Sequence, residues 1–250
     1  MSGHSKWATT KYRKGAQDKA RAKLFAKLIR QIEVAAREGG SDTTSNATLR
    51  TAVSKARDNS VPADTIERAI KRGTGELEGV RYESISYEGY GPSGVAVIVE
   101  CLSDNRNRTG AEIRSLFSRN GGSMAEPGSV AWQFERKAVI RFKSDADEEK
   151  ILGELIDSGC EDLSNQENEW LALAPPSDLA NLRGTIENSG WTVISADLAM
   201  VANQSIALND LGEVKKVLKL LDALEEHDDA QNVYDNSDIP AEIIEALSSE

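Results

Sequence analysis

The chain has 250 residues, 39% of them hydrophobic, and 41 acidic against 30 basic side chains give a formal net charge of −11. That length builds one large domain or two to three small ones with real cores, and it excludes disorder throughout. No apolar run reaches the roughly 18 to 20 residues that cross a bilayer, and the start lacks an apolar segment followed by a small-residue cleavage site, so a cytoplasmic protein with no membrane partner is expected. Cys101 and Cys160 lie far apart without CxxC spacing and read as buried reduced thiols.

The negative total hides a division. Residues 1–75 hold 16 basic and 7 acidic side chains, whereas residues 76–250 hold 14 and 34, so a basic head precedes an acidic body. A head of that sign calls for a polyanionic partner, and the body limits which face can approach it.

In chain order, Met1 to about Lys19 shows no apolar periodicity and reads as an extended or partly ordered arm. KARAKLFAKLIRQIEVAAREGG follows with Leu24, Phe25, Leu28, Ile29, Ile32 and Ala36 at helical spacing, and Gly39-Gly40 can end that helix in a left-handed turn. Lys23, Lys27 and Arg30 lie off the apolar stripe. A second helix fits Ala47 to Asp58, and VPADTIERAIKRG makes a third, with Pro62 in its first turn and Gly73 as its stop.

The pattern then changes to strands and helices. SYEGYGPSGVAVIVECL reads as two strands around a turn, NRTGAEIRSLFSRNGG as a helix with Thr109 and Glu112 at capping-box spacing, and SVAWQFE as a strand. From AVIRF to WTVISADLAMV the elements run βαββαβ, a ferredoxin-like unit. QSIALN (strand), DLGEVKKVLKLLDALEEH (helix) and AQNVYDN (strand) follow, and with residues 80–136 they complete a second such unit interrupted by the first. The fold class expected is therefore α+β: an N-terminal helical bundle and two ferredoxin-like α/β domains, one inserted into the other. The expected divisions are 1–77, a discontinuous domain of 78–136 with 200–237, an insert of 137–199, and an acidic C-terminal segment, 238–250.

Among the motifs, GYGPSG (Gly89 to Gly94) matches GxGxxG, but a strand rather than a helix follows it, so it reads as a hairpin turn and not a dinucleotide site. His4 and His227 have no metal-ligand spacing, and no carboxylate pair is set apart by an apolar surrounding; catalytic residues, metals, cofactors and a small-molecule substrate are not expected. His227 reads as a solvated residue at a helix end. The arm is different. Lys6, Lys11, Arg13, Lys14, Lys19, Arg21, Lys23, Lys27 and Arg30 can each neutralise a phosphate, and Trp7 and Tyr12 offer flat faces to bases or sugar edges, a nucleic-acid pattern. A second candidate is DNRNRTG, where Arg106 and Arg108 stand at a helix N-terminus able to add to an anion site, the alternative being a capped loop with Asp104 paired to an arginine.

GHSKWA, KLIRQIEVAAREGG, VPADTIERAIKRGTGEL, YEGYGPSGVAVIVECLSDNRNRT, GSVAWQFERK and DDAQNVYDN together resemble the YebC/PmpR family along nearly the whole chain. The resemblance implies three domains, a helical one and two α/β ones with the last inserted in the middle one. It also implies a non-enzymatic regulator of gene expression. Members are described as DNA-binding transcriptional regulators, and others, including a mitochondrial translational activator of cytochrome oxidase, act on ribosomes. The implied partners are DNA and the transcription machinery, or in the alternative ribosomal RNA and the ribosome. The family's arm motif falls on Gly3, His4, Ser5, Lys6 and Trp7 and continues to Lys11, Arg13 and Lys14. Tyr12 stands where members commonly carry His, and Thr10 where they carry Ile; Tyr keeps a stacking face and one hydroxyl.

Overall fold

A computed structural model of the chain describes residues 17–166 and 169–248. The arm, with His4 to Lys14, lies outside them. The described residues fall into two compact units, 17–131 with 210–235, and 132–209 with 236–248.

In the first unit three helices build the bundle: α1 (Gln17–Gly39), α2 (Ala47–Asp58) and α3 (Ala63–Thr74). Leu28 and Ile32 of α1 meet Leu49 and Val53 of α2 and Ile66 of α3 in a buried core. Gly40 takes the left-handed conformation (φ +84°) that ends α1. The buried Asn46 holds the α1–α2 corner: its side chain accepts from the Leu49 amide at 3.0 Å and donates to the Ala35 and Gly40 carbonyls at 2.8 and 2.9 Å. Gly73 is not the stop expected of it, because α3 continues to Thr74 and Gly75 (φ +83°) supplies the left-handed cap.

Gly73 instead lets α3 approach α1. A Cβ there would stand 2.5 Å from the Glu33 carbonyl oxygen and 2.7 Å from the Ala36 Cβ. Gly73→Ala gains about 1 kcal/mol of helix propensity but forces two helix backbones apart, an overpacking cost of about 1–3 kcal/mol. Urea unfolding of this variant should therefore show a net loss of about 1 kcal/mol, and a gain would mean the helices separate freely.

The same unit carries a four-stranded antiparallel sheet of β1 (Glu83–Tyr90), β2 (Ala96–Ser103), β3 (Ser123–Ala125) and β9 (Ala230–Asp235), in the order β3-β1-β2-β9. GYGPSG closes the β1–β2 hairpin, with the Gly91 amide donating to Val95 O at 2.7 Å. Two helices, α4 (Arg106–Arg119) and α7 (Leu211–Glu225), pack against this sheet and each other. Ile113 and Phe117 of α4 and Val214, Leu218 and Leu221 of α7 are buried, as an apolar stripe facing a core requires.

SVAWQFE is not a strand of this sheet, although its alternation is strand-like. The buried carboxylate of Glu88 takes the amides of Gly128 (2.7 Å), Val130 (2.7 Å) and Ala131 (2.8 Å), which fixes the backbone as a loop instead of a ladder. A single 3₁₀ turn follows at Ala131–Gln133. The sheet thus runs ββαβ before the interruption and αβ after it, with the short β3 filling the place expected of SVAWQFE.

The second unit is βαββαβ: β4 (Phe134–Lys143), α5 (Glu148–Leu155), β5 (Asp162–Gln166), β6 (Glu169–Ala174), α6 (Leu179–Asn188) and β7 (Thr192–Ala202). Its antiparallel order, β5-β6-β4-β7, is that of a ferredoxin-like sheet. Phe142, Ile151, Leu155, Leu182 and Ile186 fill the core, and Trp191 stacks on Phe142 at 5.6 Å. QSIALN contributes only β8 (Ile206–Ala207), paired in parallel with β10 (Ser237–Asp238), and α8 (Ala241–Ser248) closes the described chain. The fold class is α+β, with a helical bundle and two sheet-and-helix domains interleaved in sequence. Both thiols are buried, and burial pushes Cys101 up to about 12 and Cys160 up to about 11.

Candidate nucleic-acid interface

Lys19 and Arg21 belong to the first turns of α1, their side chains outside the description. The next cations of that helix turn onto the C-terminal end of α7. Lys23 donates to Glu226 O and lies 3.4 Å from the Asp228 carboxylate, Lys27 donates to Glu225 O at 3.1 Å, and Arg30 donates to Asp228 O at 2.6 Å. The Glu225 and Glu226 carbonyls are acceptors the helix leaves unpaired at its C-terminus, where the macrodipole also favours cations, and Asp228 lies just beyond it. Lys27 is held below its usual range, by burial first and then by Lys23, with Glu225 opposing. Arg30 also lies over the Tyr82 ring at 5.2 Å.

Asp229 is the centre of this contact. Its side chain, 6% exposed, accepts from Arg108 at 2.7 Å and the Thr109 hydroxyl at 2.6 Å, and lies 3.4 Å from Arg30. Burial pushes its carboxyl up, but Thr109, Arg108 and Arg30 together hold it below the usual carboxylate range. Arg108 is raised in turn, chiefly by its hydrogen bond to Asp229, and it also reaches Asp104 at 2.8 Å. Thr109 does not cap α4. Asn105 does, accepting from the Arg108 amide at 3.1 Å, and this frees the Thr109 hydroxyl for Asp229 and Ser103.

His227 stands at a helix end but is not solvated as expected. Its side chain is 11% exposed, Nε2 lies 2.8 Å from Glu112 Oε2, and Nδ1 accepts from the Asp229 amide at 3.2 Å. Accepting at Nδ1 places the proton on Nε2, facing Glu112. Around these groups is a cleft of about 500 Å³ whose lining includes Arg30, Arg108, Tyr82, Asp104, Glu112 and Asp228. Both arginines there are already paired with carboxylates, so it offers an incoming phosphate little uncompensated positive charge.

The structure thus brings Lys23, Lys27 and Arg108 together at one place and gives all three intramolecular partners. Arg106 stays exposed, and its carbonyl accepts from Tyr87 at 3.2 Å. Sequence reasoning missed Asp229 and Glu88. The signal for Asp229 was a pair of aspartates directly before the AQNVYDN strand; for Glu88 the alternation gave none, since it shares a phase of β1 with the exposed Ser84 and Ser86 and is buried only by the loop whose amides it accepts. Among the described residues no His, Cys, Asp and Glu group could hold a metal, and no helix is long and apolar enough to cross a membrane.

A family profile described as the TACO1/YebC protein N-terminal domain matches residues 5–76, and one described as the TACO1/YebC second and third domain matches residues 82–237. A probable transcriptional regulatory protein of Halothermothrix orenii is 51% identical over 253 aligned positions, covering 100% of both chains. One of Geobacter sulfurreducens is 47% identical, covering 99% of this chain and 100% of its own. The crystal structure of a conserved hypothetical protein from Aquifex aeolicus superposes with a TM-score of 0.81 at 42% identity, covering 89% of this chain and 92% of that one.

Proposed function

The chain belongs to the TACO1/YebC family, and we propose that it is a non-enzymatic, DNA-binding regulator of transcription whose basic N-terminal arm makes the principal contact with nucleic acid. Relatives named as probable transcriptional regulatory proteins support the regulatory part. The observation that carries the arm is the disposition of cations around Asp229. Lys23, Lys27, Arg30 and Arg108 have partners within the chain. They position α1 and the arm that precedes it, which leaves Lys6, Lys11, Arg13 and Lys14, with Lys19, Arg21 and Arg106, to meet phosphates. His4, Ser5, Trp7 and Tyr12 then add polar and stacking contacts.

A second reading, placement of the same arm on ribosomal RNA, draws support from α3. Its outer cations are paired within the helix, Arg68 with Asp64 at 3.1 Å and Lys71 with Glu67 at 2.7 Å, so α3 presents no row of uncommitted base-reading side chains for a major groove. Irregular RNA with unstacked bases suits an aromatic arm without such a helix.

The test is a salt titration of binding to a labelled DNA duplex of mixed sequence. With about six phosphate contacts, log affinity falls against log salt with a slope near −5. Lys6→Ala/Trp7→Ala/Lys11→Ala should make that slope shallower by about 2. A flat salt dependence, or a variant indistinguishable from the parent, defeats the arm assignment. Binding confined to a structured RNA would select the second reading.

A further inference from the structure

We infer that the seam between α4 and α7 is a second contact surface for duplex DNA, built from Arg119, Lys215, Lys216 and Lys219; the inference rests on the DNA-binding reading above. β2 leads into α4, α7 leads into β9, and β2 and β9 are antiparallel neighbours, so the two helices covering them run in opposite directions.

Two contacts set their register. Glu112 of α4 meets His227 just beyond α7 at 2.8 Å, and a Cβ on Gly122, just beyond α4, would lie 3.2 Å from the Leu220 side chain. Advancing along α4 from Glu112 to Arg119, two turns of helix, corresponds to moving back along α7 from His227 to Leu220, which puts Lys219 close to the level of Arg119 and Lys216 one turn further on. Lys216 shares the seam side of α7 with Leu220, and Lys215 and Lys219 lie on its outer side. All four cations are exposed.

The seam is therefore divided by charge. Its far end holds Glu112, Glu225, Glu226 and Asp228, and the cations of α1 are drawn there. Its near end holds the four cations, and Arg119, Lys216 and Lys219 make no ion pair among the described residues. Residues 76–250 carry 34 acidic against 14 basic side chains, and cations such as Lys137, Arg141 and Arg108 are spent on neighbouring carboxylates. Arg119, Lys216 and Lys219, unspent on a body otherwise this acidic, are where a polyanion can approach without meeting net repulsion. Two packed helices make that surface rigid and broad, which suits the regular phosphate rows of a duplex. Its role is assigned to phosphates, whose contacts fix register and orientation on the duplex without carrying sequence information.

Arg119→Gln/Lys216→Gln/Lys219→Gln, assayed in the full chain against a labelled DNA duplex and an RNA hairpin of the same sequence, is the test. Loss of three phosphate contacts predicts a log–log salt slope shallower by about 3 and at least about tenfold weaker DNA binding near 0.1 M salt. Lys216→Arg/Lys219→Arg should keep parental binding. Should the triple variant not fold, judged by its thermal transition, Lys216→Gln/Lys219→Gln carries the measurement, with a slope change of about 2. Parental DNA binding by the glutamine variants overturns the inference. If the arm variant is weakened in the same experiment, the DNA-binding reading survives that result; if both variants bind as the parent does, both ideas fall. A loss confined to the RNA hairpin also overturns the inference, because the surface would then serve folded RNA.

Discussion

Glu88→Ala is expected to destabilise the protein by about 3–4 kcal/mol. The carboxylate is 7% exposed and accepts three amide hydrogen bonds at 2.7–2.8 Å, from Gly128, Val130 and Ala131. Hydrogen bonds to a charged group contribute roughly 1.5–3 kcal/mol each, and the total stays below three times that because Gly128 lies near water and its amide can be resolvated. Glu88→Gln keeps one acceptor oxygen and should lose about half as much. Burial pushes the Glu88 carboxyl up, but the three amides outweigh it and hold the group below its usual value of 4.5. A carboxyl depressed in the folded state contributes stability that is present above its unfolded pKa and is lost as pH falls through the folded one. Urea unfolding followed by circular dichroism should therefore show the gap between parent and variant narrowing as the pH falls below the usual glutamate range. A loss under about 1 kcal/mol at pH 7 would mean the loop is held by something else.

Asp229→Ala should cost about 2–3 kcal/mol. It removes the shared acceptor of Arg108 and Arg30 and leaves the buried Thr109 hydroxyl with only Ser103 and the Asn105 carbonyl as partners. Breaking a fully buried pair costs roughly 3–5 kcal/mol; the lower figure follows because Arg108 is 43% exposed and water recovers part of its charge. Asp229→Asn, which can still accept from Thr109, should fall between parent and alanine. The pH dependence has the same sign as for Glu88, since the Asp229 carboxyl is also depressed in the folded protein. The functional consequence separates the two residues. Asp229→Ala should weaken nucleic-acid binding beyond its effect on stability, because it removes the Arg30 contact that helps to seat α1, the helix the arm precedes, whereas Glu88→Ala should not.

Both residues show what local pattern can and cannot reveal. α2 runs from Ala47 to Asp58 as its spacing predicts, with Leu49, Ala52, Val53 and Ala56 buried, because an amphipathic helix is written within a few turns. The βαββαβ order from β4 to β7 was legible for the same reason. SVAWQFE failed because strand-like alternation says nothing about where amides find acceptors, and here Glu88, some 40 residues earlier, supplies them. Thr109 and Glu112 had capping-box spacing, yet Asn105 won the cap and left Thr109 to Asp229. The basic face of α1 read as available charge because its partners lie about 200 residues away in sequence, at the end of α7. Charge composition identified the cations; only the fold distinguishes those already paired.

The central claim is that the arm, anchored through the Asp229 cluster, is what reaches nucleic acid. Its most direct measurement is sequencing of the nucleic acid crosslinked to the full-length protein in cells, for the parent and for Lys6→Ala/Trp7→Ala/Lys11→Ala. The parent should recover promoter DNA and the variant should lose it. Promoter DNA recovered equally by both would contradict the arm assignment, and recovery dominated by ribosomal RNA would contradict the transcriptional reading.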